Sequence, residues 1–249
     1  MSDLFWLSDE QMARLAPFFP RSHGKPRIDD RRVLSGIIFI NRNGLRWRDA
    51  PADYGPPKTL YNRWKRWSEK GVFLRILLAL SEGEDLDGLM IDATYLKAHR
   101  TAASLRGQKG GRGIGRSRGG LSSKLSMLTD AAGRPLRFVL TGGERNDFAA
   151  APALLADAPN ANWLLADRGY DAMWIRNLLK ERGITPCIPY RKLHNTPGKY
   201  DPERDRDRHR IENSFARLKD WRRLATRYDR NPVTFLNVAI LAAIVMFWL

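Results

Sequence analysis

The sequence is poor in the residues that form disulfides and zinc sites. Cys187 is the single cysteine, so no disulfide can form within the chain, and this usage fits a reducing cytoplasm. The four histidines do not follow a zinc-binding spacing; they are His23, His99, His194 and His209. A metal bound by this chain would therefore be held by carboxylate oxygens, which favour Mg²⁺ or Mn²⁺.

Acidic residues are scarce relative to basic ones. The chain has 249 residues, and its 43 Lys and Arg against 27 Asp and Glu give a formal net charge of +16. The stretch 97–124 contains eight basic residues and no acid. This surplus indicates a polyanionic partner, either nucleic acid or an anionic membrane surface.

The glycine-rich stretch RGQKGGRGIGRSRGG, residues 106–120, does not form a nucleotide-binding motif. It lacks the last glycine of G-x-G-x-x-G, and neither Gly-Lys pair of the chain is followed by Ser or Thr. We predict a mobile loop that contacts phosphates through Arg112, Arg116 and Arg118.

The uncharged C-terminal stretch 231–249 approaches the length of a short membrane span. However, it contains Asn237, and Asn231 with Pro232 makes a good N-cap and first turn. The pattern favours a buried helix over 232–249, with a membrane anchor as the alternative.

Hydrophobic spacing predicts a small helical domain over residues 1–80. Its second long helix, in KTLYNRWKRWSEKG, presents a group of basic side chains, namely Lys58, Arg63, Lys65 and Arg66. A helix-turn-helix-like DNA-binding domain is one interpretation, and a bundle with a solvated cationic face is the other.

Residues 81–249 alternate between strand and helix patterns. Strands are predicted in GLMIDAT, NWLLAD and ITPCIPY, a hairpin over 121–143, and helices over 147–156, 172–182 and 208–223. Asp147 is predicted to cap the first of these helices. The order predicts an α/β domain with a mixed sheet flanked by helices.

Two aspartates stand in matching positions. Asp92 ends the apolar run LMID, and Asp167 ends WLLAD. Either one alone would be an ordinary turn or cap residue, but sites in α/β proteins form beyond the carboxyl ends of strands. Both together, in a basic chain, indicate a site. Asp171 and Glu181 are interpreted as solvated or capping residues.

A third carboxylate, Glu212, lies in the basic helix RHRIENSFARLKDWRR. At 100° per residue, Arg208 and Lys219 lie within about 40° of Glu212 around the helix. A separate apolar stripe faces the core and comprises Ile211, Phe215, Leu218 and Ala225. An Arg208–Glu212 salt bridge would contribute only a few tenths of a kcal/mol. Converging carboxylates that bind Mg²⁺ or Mn²⁺ explain the arrangement better, since two such ions can activate a water on a phosphodiester.

Four segments together resemble DDE transposases of the insertion-sequence five family: IDATYLKAHR, GRSRGGLSSKLSMLTDAAGRPLRFVLTGG, LLADRGYDA and HRIENSFARLKDWRRLATRYDR. The resemblance implies an RNase H-like core in which Asp92, Asp167 and Glu212 form the catalytic, metal-binding triad. It also implies that Arg208 and Lys219 contact transposon-end DNA. Asp205 stands where the family pattern has Tyr, and Asn146 where His is common.

The resemblance implies a bacterial transposase, cytoplasmic and nucleoid-associated, with no membrane contact. Such an enzyme binds the terminal inverted repeats of its element, hydrolyses a phosphodiester with Mg²⁺ or Mn²⁺, and joins the 3′-OH to target DNA. It would act as a homodimer or higher oligomer. The alternatives are a metal-dependent DNA nuclease on the same fold, an inactive DNA-binding derivative, and a basic membrane-associated protein.

Overall fold

The computed structural model describes residues 3–20, 29–82, 86–104, 113–190 and 202–249. Four helices precede the first strand: α1 (Asp9–Leu15), α2 (Asp30–Asn43), α3 (Pro57–Glu69) and α4 (Val72–Ser81). Local chemistry explains their ends. Ser8 and Gln11 form a capping box on α1, and α2 ends at Gly44, whose φ of 73° is costly for other residues. The helical prediction for this part is confirmed.

A seven-stranded mixed sheet follows. Its strands are β1 (Leu86–Ala98), β2 (Gly115–Ser117), β3 (Gly120–Asp130), β4 (Pro135–Gly142), β5 (Ala161–Ala166), β6 (Thr185–Cys187) and β7 (Thr226–Arg227). β1 lies at the centre, antiparallel to β3 and parallel to β5, and β6 extends the parallel side. The prediction of a mixed sheet is confirmed.

Seven further helices connect and cover these strands: α5 (Arg100–Ala103), α6 (Ala151–Leu155), α7 (Met173–Glu181), α8 (Pro202–Arg206), α9 (His209–Lys219), α10 (Arg222–Ala225) and α11 (Pro232–Ala243). Helices α6 and α7 pack with one face of the sheet in one apolar core. Helices α1 to α4, α9 and α11 form the larger core on the other face.

The C-terminal helix α11 is buried against α2, α3 and α4 and against β4. Asn231 caps it, as predicted, and a π-helical turn (Ile244–Trp248) continues it. No helix in the described ranges is long and apolar enough to cross a membrane. One apolar core therefore joins the first 80 residues to the end of the chain.

Four sequence predictions are corrected by these elements. β1 continues to Ala98, so Asp92 lies within the strand and does not end it. ITPCIPY forms a strand only over Thr185–Cys187. The basic helix stops at Lys219 and a separate α10 follows, so Ala225 does not belong to the apolar stripe of α9. The mobile loop prediction is wrong for residues 115–120, because β2 and β3 pair there in a hairpin; residues 106–112 lie outside the described ranges.

Candidate active site

Asp92 and Asp167 are brought together by the register of two parallel strands. The last parallel pair of β1 and β5 is Ile91 with Ala166. Asp92 and Asp167 are therefore the next residues along these two neighbouring strands. β5 ends there, whereas β1 continues along β3 to Lys97. The aspartates therefore lie at the edge where the parallel part of the sheet stops.

Backbone N–H groups orient both aspartates. Asp92 Oδ1 accepts a hydrogen bond from the Ala93 N–H at 2.8 Å, and Asp167 Oδ1 accepts one from the Gly169 N–H at 2.8 Å. The second bond caps the 3₁₀ turn Arg168–Tyr170. A Cβ at position 169 would lie 2.8 Å from Asp167 Oδ1, so glycine leaves this carboxylate its space.

Helix α9 brings Glu212 and its basic neighbours to the same face of β1. Arg208 Nη2 lies 3.3 Å from Glu212 Oε1, and Asp205 Oδ1 lies 3.9 Å from Arg208 Nε. Lys219 Nζ donates to Thr94 Oγ1 at 2.7 Å, two residues beyond Asp92 on the same face of the strand. Asp205, which departs from the family pattern, is thus an ion partner of Arg208.

The pKa of Asp92 reflects the nearby charged residues. The pKa of Asp92 is raised from 3.8 to about 6, chiefly by burial and then by the charges of Asp167 and Glu212, while the Ala93 N–H and Arg208 act to lower it. Burial also lowers the pKa of Lys219. A partly buried carboxylate that faces two others is stabilised when a cation binds between them.

The donor chemistry fits a divalent metal. Asp92, Asp167 and Glu212 offer hard oxygens without a thiolate or imidazole. The hydroxyl of Tyr170 lies close to Asp92, Asp147 and Asp167, and its pKa is raised, first by burial and then by their charges. Within the ranges that the structure describes, no three acidic, His or Cys side chains are already gathered as a metal cluster. In this conformation the Glu212 carboxylate faces Arg208.

A Lys–Asp pair beside the site was missed in the sequence. Asp147 was predicted to cap a helix, but the N-cap is Asn146, which makes no side-chain cap bond. Asp147 Oδ1 instead accepts from Lys124 Nζ at 2.6 Å. Asp147 also lies beside the turn that follows Asp167. A Cβ added to Gly169 in that turn would be 3.3 Å from Asp147 Oδ2. The available signal was Lys124 itself, a charge inside the buried strand SSKLSML.

The ammonium group of Lys124 has three partners among the described residues. Its Nζ also donates to the Arg145 carbonyl oxygen at 2.6 Å and lies 4.7 Å from the centre of the Tyr95 ring. Its side chain is 4% exposed, so burial acts to lower the pKa of Lys124, but the hydrogen bond to Asp147 and the contact with Tyr95 outweigh it and the pKa is raised. This pair therefore supports the turn that follows Asp167.

The basic residues predicted to bind DNA differ in how exposed they are. Five of them have exposed side chains: Lys58, Lys65, Arg66, Arg116 and Arg118. Arg63 does not belong with them: its guanidinium lies 2.7 Å from Asp30, its side chain is 12% exposed, and it stacks on Trp67 at 5.3 Å. A DNA contact of Arg63 stays a prediction, and in this structure its guanidinium pairs with Asp30. Arg112 lies outside the described residues.

Asp171 is not solvated, and of the two interpretations given for it the structure agrees with the capping position, since it is the C-cap residue of the 3₁₀ turn Arg168–Tyr170. Its side chain is buried and lies 2.8 Å from Arg176, which stacks on Tyr190 and donates to the Ile188 carbonyl oxygen. This pair fixes the loop after β6 to α7. Asp171 is therefore a structural residue and not a fourth member of the site.

Two adjacent aspartates at the edge of a mixed sheet, with a glutamate from a following helix, define an α/β protein with a carboxylate-lined candidate site. Residues 83–247 match the family described as "Transposase DDE domain", and residues 7–77 match the one described as "Putative transposase of IS4/5 family". The chain therefore belongs to the DDE transposases of insertion elements. This family depends on a divalent metal ion.

Relatives and solved structures agree with this membership. The chain is 40% identical over 109 residues to the uncharacterized protein y4sN of Sinorhizobium fredii, covering 43% of this chain and 87% of that protein. It is 31% identical over 130 residues to a Brucella ovis protein described as "Putative transposase for insertion sequence element IS6501", covering 52% of this chain and 99% of that protein. The piggyBac transposase synaptic complex has a TM-score of 0.51 at 10% identity over 98% of this chain and 73% of that one, which shows a shared fold.

Proposed function

We propose that this transposase binds the terminal inverted repeats of its own element, hydrolyses the phosphodiester at the element end, and joins the freed 3′-OH to target DNA. The observation that carries the proposal is the site at the end of β5. There Asp92 lies beside Asp167 with its pKa raised, and Glu212, Arg208 and Lys219 share the same face of β1.

Asp92, Asp167 and Glu212 would hold Mg²⁺, or Mn²⁺ in its place, and the bound ions supply water activation and stabilisation of the leaving oxygen. Two basic residues of the chain would contact the DNA. Arg208 pairs with Glu212 and would contact a DNA phosphate when Glu212 holds a metal ion. Lys219, fixed by Thr94, places a cation beside the scissile strand.

We assign end recognition to residues 1–80 and catalysis to residues 81–249. The exposed Lys58, Lys65 and Arg66 of α3, with Arg116 and Arg118 of the β2–β3 hairpin, would hold the DNA backbone around the site. Because both element ends must meet, we propose a homodimer or higher oligomer on DNA, working in the bacterial cytoplasm at the nucleoid.

Asp167→Asn tests the catalytic assignment. On a labelled duplex that carries one terminal repeat, with Mg²⁺, we expect cleavage to fall to background while end binding in Ca²⁺ stays within about threefold of the unsubstituted protein. The matched control is Asp157→Asn, because Asp157 is 86% exposed and only touches Arg137 at 4.0 Å. Undiminished cleavage by the Asp167→Asn protein would refute the assignment.

A target plasmid in the same reaction separates the finer possibilities. Joined products support strand transfer. Cleaved ends without joined products mean a metal-dependent DNA nuclease on this fold, and DNA binding without cleavage by the unsubstituted protein means an inactive derivative.

A further inference from the structure

A second basic surface lies away from the active site. A groove of about 320 Å³ opens between α9, the β3–β4 turn and the end of the chain. We call it the arginine groove; it is lined by Ala132, Arg134, Arg210, Asn213, Ser214, Arg217, Met246 and Phe247. Three guanidiniums, an amide and a hydroxyl thus face one open space, and no carboxylate lines it.

The three guanidiniums are held in place by the protein. Arg134 lies over the Trp248 ring at 4.7 Å, and Arg217 lies over the Phe247 ring at 4.4 Å. Arg210 Nη1 donates to the Ala131 carbonyl oxygen at 2.8 Å. Groups that are already oriented lose little conformational entropy when an anion binds.

Their charges are only partly neutralised. Asp130 pairs with Arg134 at 2.6 Å, and the half-exposed Asp207 pairs with Arg210 at 3.1 Å. Arg217 forms no ion pair with any carboxylate of the described residues; its Nη2 reaches only the Met246 carbonyl oxygen at 3.3 Å. The groove therefore keeps a net positive charge in a chain of net charge +16.

The groove and the active site occupy opposite sides of α9. At 100° per residue, Arg210 and Arg217 lie about 160° and 140° from Glu212 around the helix. A DNA strand seated on Glu212 is therefore separated from the groove by the width of the helix, roughly 10 Å.

We propose that the arginine groove binds the phosphate backbone of duplex DNA, without regard to sequence, at a segment other than the strand held by the catalytic triad. The proposal rests on the proposed function for its partner, since an enzyme that joins two DNA molecules must hold both. Guanidiniums match phosphate oxygens in geometry as well as charge, which favours this partner.

The test is the salt dependence of binding to a duplex that lacks the terminal repeat, measured in EDTA so that no cleavage occurs. Removing one phosphate contact lowers the slope of log K against log salt by about 0.9. We expect this loss for Arg217→Gln and for Arg210→Gln, and an unchanged slope for Arg217→Lys, which keeps the charge. The matched control is Lys180→Gln, which removes an exposed charge on α7 at the other face of the sheet.

Thermal unfolding confirms that each variant is folded before binding is compared. An unchanged slope of log K against log salt in both glutamine variants overturns the proposal. If millimolar inorganic phosphate also stabilises the unsubstituted protein in that case, the groove binds free phosphate and not DNA. Failure of the proposed function is a separate result, because a chain that binds DNA without cutting it still yields these slopes.

Discussion

Replacing Asp92 with Asn should stabilise the metal-free protein at neutral pH while abolishing cleavage. The pKa of Asp92 is about 6 in the folded chain against an ordinary value of 3.8, chiefly because burial opposes its charge. A shift of about two units corresponds to roughly 3 kcal/mol between the protonated and charged forms. The folded state therefore prefers the protonated, neutral carboxyl group, which the asparagine amide resembles.

The sign of the pH dependence follows from this preference. Well below pH 3.8 the carboxyl is protonated in both folded and unfolded chains, so charge does not distinguish the variant from the parent. As pH rises from 4 to 6, the unfolded chain releases its proton first and the parent loses stability. Above pH 6 the difference is fully developed.

The assay is urea unfolding of both proteins in EDTA at several pH values between 4 and 8. We expect the Asn variant to exceed the parent by about 2–3 kcal/mol at pH 7.5, or roughly 5–10 °C in melting temperature, with the difference narrowing toward pH 4. Mg²⁺ should raise the stability of the parent and leave that of the variant nearly unchanged. A variant less stable than the parent at pH 7.5, or a difference independent of pH, would refute the reasoning.

Two further predictions concern buried polar groups. Arg63→Gln should destabilise the fold by about 1–3 kcal/mol, because it removes a cation that pairs with the partly buried Asp30, whereas Lys58→Gln should weaken DNA binding with little effect on urea unfolding. Equal stability of these two variants would contradict the partly buried ion pair. Tyr170→Phe should leave stability unchanged or raise it by about 1 kcal/mol in EDTA, because the lost hydroxyl has only a poorly aligned contact with the Ser126 hydroxyl. A clear loss of stability in thermal unfolding would show that this hydroxyl is bonded.

Local sequence pattern located the carboxylates of the candidate site. An apolar run that ends in Asp predicts a charge at the edge of a sheet, and Glu212 among basic residues at helical spacing predicts a shared stripe with Arg208 and Lys219. Their roles came from the resemblance to a family. Pattern did not reveal that β1 runs past Asp92, since the half-exposed continuation owes its strand conformation to pairing with β3.

Long-range partners decided the remaining features. Arg63 looks like any exposed base on an amphipathic helix until Asp30, 33 residues earlier, is placed against it. The Lys124–Asp147 pair forms only when the β3–β4 hairpin and the loop after it meet over the turn beyond Asp167. The arginine groove likewise needs α9, a hairpin turn and the chain end in one place.

The sequence by itself thus determined the class of chemistry, since composition and spacing specify which charges exist and which lie near each other along one element. Only the tertiary structure decided which of those charges are neutralised, buried or left exposed. The physical reason is that solvation and ion pairing depend on neighbours in space, and some of these neighbours are distant in the sequence, such as Asp147 for Lys124 and Thr94 for Lys219, which lie 23 and 125 residues away.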